Sequence, residues 1–134
     1  MLTNQMDPKV NSDRKKILLV EDDGVQQIIM ERFIHKLGHT VLATVSEGEA
    51  AVKSALKLKG VDLIIMDIRL GDDLDGIDAM KKIRKQSNVK VIYVTGNSEP
   101  VTRTRAKDTK YEAFIEKPIT PDKLEKAISE AFQT

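Results

Sequence analysis

Glu21, Asp22, Asp67, Thr95 and Lys117 each stand at or just past the end of a short run of branched apolar residues: KILLV, LIIM, KVIYV and AFIE. Three carboxylates drawn together repel one another and hold protons more tightly unless a cation lies among them. Hard divalent ions with oxygen ligands meet that need. Mg²⁺ in particular takes one or two carboxylates, keeps several waters and is completed by substrate phosphate, with Mn²⁺ as a substitute. A lysine and a hydroxyl nearby would supply charge and oriented donors to a phosphoryl group in transfer, and a carboxylate aimed at that group can be the nucleophile, giving an acyl phosphate. Singly, each residue has a plainer reading. Glu21, Asp22 and Asp67 suit helix N-termini, Thr95 a turn and Lys117 the surface. Their joint placement at the ends of core strands argues for a site.

The elements that must position them follow from pattern. Lys16–Val20, Thr40–Val45, Leu63–Met66, Lys90–Val94 and Ala113–Glu116 are short runs that read as strands, Lys16–Val20 as a buried one and Leu63–Met66 as one buried on both faces. Between them lie helical stretches. The first spans 25–37, with Ile28, Ile29, Phe33 and Leu37 at helical spacing and Gly38 as its stop. The second spans 47–58, where Ser46 and Glu49 form a capping box. The third spans 76–86 and buries Ile77, Met80 and Ile83. The fourth, 99–107, has only Val101 and Ala106 for an apolar stripe and should be the least firmly anchored. The last opens on Thr120-Pro121 and carries Leu124, Ala127, Ile128, Ala131 and Phe132 on its buried face.

Strands alternating with helices predict an α/β protein with a parallel sheet covered on both faces. At this size the expected solution is the flavodoxin-like doubly wound (βα)5 fold, strand order 2-1-3-4-5. In it strands 1 and 3 flank the switch point where open sheets bind ligands.

Composition closes off other classes. With 134 residues the chain is one domain, expected over 14–134 behind a flexible polar leader, 1–13. No apolar run nears the roughly 18 residues of a membrane helix, and the N-terminus lacks a secretory h-region. There is no cysteine, hence no disulfide or thiolate chemistry, which suits the cytoplasm. A net charge of +1 makes no electrostatic case for nucleic acid. The densest basic patch, Lys81, Lys82, Arg84, Lys85 and Lys90, reads as a solvated helix face.

The motifs LLVEDD, LIIMD, DG at residues 75–76, VTG and EKP, in this order over residues 15 to 133, resemble the receiver domains of two-component response regulators. The resemblance implies that Asp67 is the phosphoacceptor, charged by a sensor histidine kinase or histidine phosphotransfer protein. It implies Mg²⁺ held by Asp22, Asp67 and the backbone carbonyl of Arg69, with Glu21 acting through water. Thr95 and Lys117 would hold the phosphoryl oxygens. Thr95 and Phe114 would form a switch that reshapes the surface of the fourth helix, fifth strand and fifth helix toward an unknown downstream protein or a second copy. A plain core aromatic is as good a reading of Phe114. Arg69 and Asn97 fall where family members tune phosphoryl lifetime, and Lys117-Pro118 where they usually hold a cis peptide.

The loop after Asp67 departs from the family pattern. It lacks the common proline, is one residue longer than usual, and carries Asp72 and Asp73, read as solvated turn residues. A calcium loop is excluded, since Lys82 stands where the twelfth-position glutamate is needed. An aspartyl-nucleophile phosphatase would want an acid at Arg69, and a flavin carrier would want Ser, Thr and Gly where Glu21-Asp22-Asp23 stands. No output module is expected beyond the last helix, and the expected protein is a switch and not a turnover enzyme. A stand-alone regulator is favoured over a phosphorelay intermediate or the receiver of a hybrid kinase.

Overall fold

The computed structural model describes residues 13–133 apart from Asp72, Asn97 and Ser98. The expected leader and the lifetime role of Asn97 therefore lie outside the described residues, Asp13 excepted. Strands β1 (Lys16–Val20), β2 (Thr40–Val45), β3 (Leu63–Asp67), β4 (Lys90–Thr95) and β5 (Ala113–Glu116) form one parallel sheet in the order β2-β1-β3-β4-β5. The connecting helices are α1 (Gly24–Lys36), α2 (Gly48–Lys57), α3 (Gly76–Arg84), α4 (Pro100–Ala106) and α5 (Pro121–Ala131), with a 3₁₀ turn, Lys107–Thr109, after α4. This is the flavodoxin-like topology expected.

Alternation along the strands divides the core into two layers. Ile17, Leu19, Ile65, Ile92, Val94 and Ile115 pack on α1 and α5, whereas Leu18, Val20, Ile64, Met66, Val91 and Tyr93 pack on α2, α3 and α4. In β3, Leu63, Ile64, Ile65 and Met66 are fully buried, each contributing roughly 1.5–3 kcal/mol. A one-residue slip of that strand would carry the Asp67 carboxylate into the core. Burial of the four residues before it thus fixes where the acid stands.

The structure revises several local expectations. The buried face of α1 is Met30 and Ile34, flanked by Phe33 and Leu37, while Ile28 is 55% exposed. Two residues before Met30, Ile28 points roughly 200° away around the helix. The capping box at Ser46 does not form. Glu47 is the N-cap of α2, its side chain making no cap bond, and Glu49 pairs instead with Lys82 at 3.1 Å. Close packing sets that start, because a Cβ on Gly48 would lie 2.5 Å from the Leu74 carbonyl oxygen. Val101 on α4 is 64% exposed, leaving Ala106 as the buried residue of that helix. Arg84 is no solvated lysine-like charge either. Its guanidinium donates to the backbone carbonyls of Thr109, Ser87 and Val89, tying α3 to the turns beside β4 and after α4.

Candidate functional site

The ends of β1, β3, β4 and β5 converge on one cleft of about 700 Å³. Asp67 closes β3 and Glu21 follows β1, both 3% exposed, and Thr95 ends β4 at 5%. Of the three acids after β1, Asp23 is the one that caps α1, accepting from the Gln26 N–H at 2.9 Å. Glu21 and Asp22 are thereby left to face the cleft. Glu21 is anchored by the Asp23 N–H, 3.0 Å from Oε2. Asp67 Oδ1 accepts from the Arg69 N–H at 3.1 Å. From β5, Lys117 Nζ lies 2.9 Å from Asp67 Oδ2 and 3.5 Å from Glu21 Oε1. The Lys117 N–H donates to the Thr95 carbonyl at 2.9 Å, which sets the ends of β4 and β5 side by side. The Lys117–Pro118 peptide is cis.

The electrostatics follow from crowding. Burial, together with the Asp67 charge, pushes Glu21 up to about 7, against the opposing pull of the Asp23 amide and Lys117. Burial alone would lower Lys117, but its bond to Asp67 and the charges of Asp67 and Glu21 outweigh that and hold it above the usual ammonium value. Ligand oxygens of Glu21, Asp22 and Asp67 lie within 4.8 Å of one another. One lysine does not balance them, and an all-oxygen donor set with excess negative charge fits a hard divalent cation.

The loop from β3 to α3 presses on this site. A Cβ on Gly71 would sit 3.5 Å from Asp22 Oδ2. Gly76 opens α3 with its N–H on the Ile68 carbonyl at 2.8 Å, behind the N-cap Asp75. Asp73 is exposed, and Asp72 lies outside the described residues. Arg69 lines the cleft with an exposed side chain. Phe114 is half-buried, its ring centroid 5.4 Å from that of Tyr93 and 4.6 Å from that of Tyr111, with the Arg103 guanidinium 4.7 Å away. Of the five residues singled out by their place at strand ends, Glu21, Asp22, Asp67 and Lys117 line this cleft together, and Thr95 adjoins it, buried, with its carbonyl on the Lys117 N–H. The sequence reading missed the contributions of Gln26 and Ile119 to the cleft walls, and no local pattern marks them, whereas Gly96 beside them belongs to the VTG motif.

Residues 17–129 match the family model described as "Response regulator receiver domain". The phyllosphere-induced regulator PhyR of Methylorubrum extorquens is 31% identical over 116 residues, 87% of this chain and 43% of that protein. The chain spans less than half the length of the curated relatives it matches. Among solved structures, the receiver domain of the sensor histidine kinase PA1611 from Pseudomonas aeruginosa, with a magnesium ion coordinated in its active-site cleft, is 33% identical with a TM-score of 0.77. That match covers 87% of this chain and 95% of the other. The signal receiver domain of a modulated diguanylate cyclase from Desulfovibrio desulfuricans is 29% identical with a TM-score of 0.80, covering 89% and 94%.

Proposed function

The chain belongs to the response-regulator receiver family, a family of two-component signalling, and on that footing we propose that it is a phosphorylation switch with Asp67 as phosphoacceptor. The observation that carries this reading is the bond from Lys117 to Asp67, in a cleft that also gathers Glu21 and Asp22. Asp67 Oδ1 is oriented by the Arg69 N–H, which fixes the carboxylate while an incoming phosphoryl group approaches. Lys117, already charged and in place, would pair with the transferred oxygens, and Thr95 would donate to them. Asp22, Asp67 and the Arg69 carbonyl would hold Mg²⁺, with Glu21 acting through water. When bound, that ion offsets the negative charge of carboxylates and phosphoryl group.

The phosphodonor would be a histidine of a sensor kinase or phosphotransfer protein. The N-terminal half of α1 supports a docking face beside the cleft: Val25 and Ile28 are exposed at 65% and 55%, and Ile29 lines the cleft itself. Phosphorylation would be read out through Thr95, Phe114 and the α4-β5-α5 surface, by a downstream protein or a second copy. Arg69 would shield the acyl phosphate and set its lifetime. The domain would occupy residues 14–134, act in the cytoplasm and turn over no external substrate. Among the described residues no helix is long and apolar enough to cross a membrane.

The deciding experiment treats wild type and Asp67→Asn with acetyl phosphate or beryllofluoride plus Mg²⁺. The expected result is a mass or spectral change in wild type alone. No Asp67-dependent response to either reagent would overturn the reading.

A further inference from the structure

We infer that Arg105, on α4, is a positioning residue for the loop that carries Asp67, acting through Asp75 and Gly76. Its guanidinium forks onto the start of α3, with Nη1 3.0 Å from Asp75 Oδ2 and Nη2 3.3 Å from Asp75 Oδ1 and 3.2 Å from Asp78 Oδ1. An exposed ion pair ordinarily contributes little. This one is a planar fork over two acids, all three groups half-buried, a geometry that fixes orientation as well as charge. The acid it holds is itself structural, since Asp75 Oδ1 also caps α3 by accepting from the Asp78 N–H at 2.9 Å.

From Asp75 the constraint passes directly to the site. Gly76 follows, its N–H on the Ile68 carbonyl, and there is no room between its α-carbon and Asp67, whose carbonyl oxygen would lie 2.3 Å from an added Cβ. Ile68 and Arg69 are the backbone on which the Asp67 carboxylate is oriented. Arg105 therefore braces α4 against the residues that aim the phosphoacceptor, by a route that does not pass through Thr95 or Phe114. Asp75 is held below the usual carboxylate range: burial works against this, but the bonds from Arg105 and the Asp78 amide outweigh it. By reciprocity, whatever this brace adds to occupancy of the site, occupancy adds to the hold on α4.

The inference rests on the phosphoacceptor reading. Its test uses Arg105→Ala, Arg105→Lys, Asp75→Asn and the combination of Arg105→Ala with Asp75→Asn. Asparagine at 75 keeps the cap while removing the charge that holds Arg105, and lysine at 105 keeps the charge without the fork. Amide chemical shifts of Ile68, Arg69 and Gly76 are followed in the metal-free protein, beside beryllofluoride affinity in Mg²⁺ and the urea midpoint. Arg105→Ala and Asp75→Asn should each move the Arg69 and Gly76 amides and weaken beryllofluoride binding about three- to tenfold. The combined variant should be no weaker than either single one, and Arg105→Lys should recover part of the loss. Unchanged affinity and amides, a lowered urea midpoint with unchanged affinity of the folded protein, or additive losses would each overturn the inference. If wild type itself shows no Asp67-dependent binding, the phosphoacceptor reading fails and this falls with it.

Discussion

Gly76 and Asp67 are packed so closely that a methyl group on the first would reach within 2.3 Å of the second's carbonyl oxygen. Met66 Cγ and the Ile68 Cα would lie 2.8 and 3.0 Å away, so the obstacle is largely backbone. Helix propensity alone would make Gly76→Ala stabilising by up to about 1 kcal/mol. The clash works against it, at about 1–3 kcal/mol for overpacking, and should win. Gly24 is the control, at the first position of α1 with nothing within 4 Å of an added Cβ. Urea unfolding should show Gly76→Ala less stable than wild type and Gly24→Ala equal or more stable. Only the former should also weaken beryllofluoride binding.

Lys117 serves as counter-ion to Asp67 and Glu21 in the metal-free site. In Lys117→Ala those acids keep their mutual repulsion and lose their cation. The metal-free variant should therefore unfold at lower urea than wild type, and Mg²⁺ should restore more stability to it than to wild type. Mg²⁺, no longer competing with an ammonium, should bind at least as tightly. Beryllofluoride, deprived of a charged donor, should bind about tenfold or more weakly. Isothermal titration of each ligand separates these opposite shifts, and parallel weakening of both would contradict the assignment.

The pH response of the metal-free protein should carry the mark of Glu21. Its proton is released near pH 7 when folded, against 4.5 for an ordinary glutamate. Between those values the folded protein holds a proton that the unfolded chain has lost. The contribution to stability is therefore full below pH 4.5 and is lost as pH rises through 7. From pH 5.5 to 8 wild type should lose about 2 kcal/mol more than Glu21→Gln. Mg²⁺ needs the ionised carboxylates, so its affinity should rise over the same window in wild type and stay flatter in the variant. Urea unfolding and Mg²⁺ titrations at the two pH values check both.

Much of the fold and of the site could be read in advance because its signals are local. A short branched apolar run needs burial on both faces, and the residue that ends such a run falls at the carboxyl edge of the sheet. Glu21, Asp67, Thr95 and Lys117 were legible for that reason. What escaped depends on partners distant in sequence. The fork of Arg105 on Asp75 and the bond of Arg84 to Thr109 cross 30 and 25 residues. In α1, apolar residues at 28, 29, 30, 33, 34 and 37 offer two overlapping helical faces, and only packing against the sheet and α5 chooses Met30 and Ile34. Ser46 and Glu49 have the spacing of a capping box, yet the packing of Gly48 on Leu74 decides where α2 begins.

The turn after α4 hangs on one buried hydroxyl pair. Thr109 Oγ1 donates to the Ala106 carbonyl at 2.6 Å, so in the 2.7 Å contact between them Tyr93 is the donor and Thr109 the acceptor. Both residues are fully buried, and burial pushes the Tyr93 phenol up to about 12. Thr109→Val leaves that phenol without a partner, at about 1–3 kcal/mol for the stranded group, and removes the hydroxyl from the Ala106 carbonyl. Tyr93→Phe removes only the donor, and Thr109 keeps its bond to Ala106. Urea unfolding should therefore rank wild type above Tyr93→Phe and Tyr93→Phe above Thr109→Val. Because Thr109 also receives the Arg84 guanidinium through its carbonyl, the loss should register in hydrogen exchange at the end of α3 as well as at α4. A valine variant as stable as the phenylalanine one would mean that the hydroxyl pair does not anchor this turn.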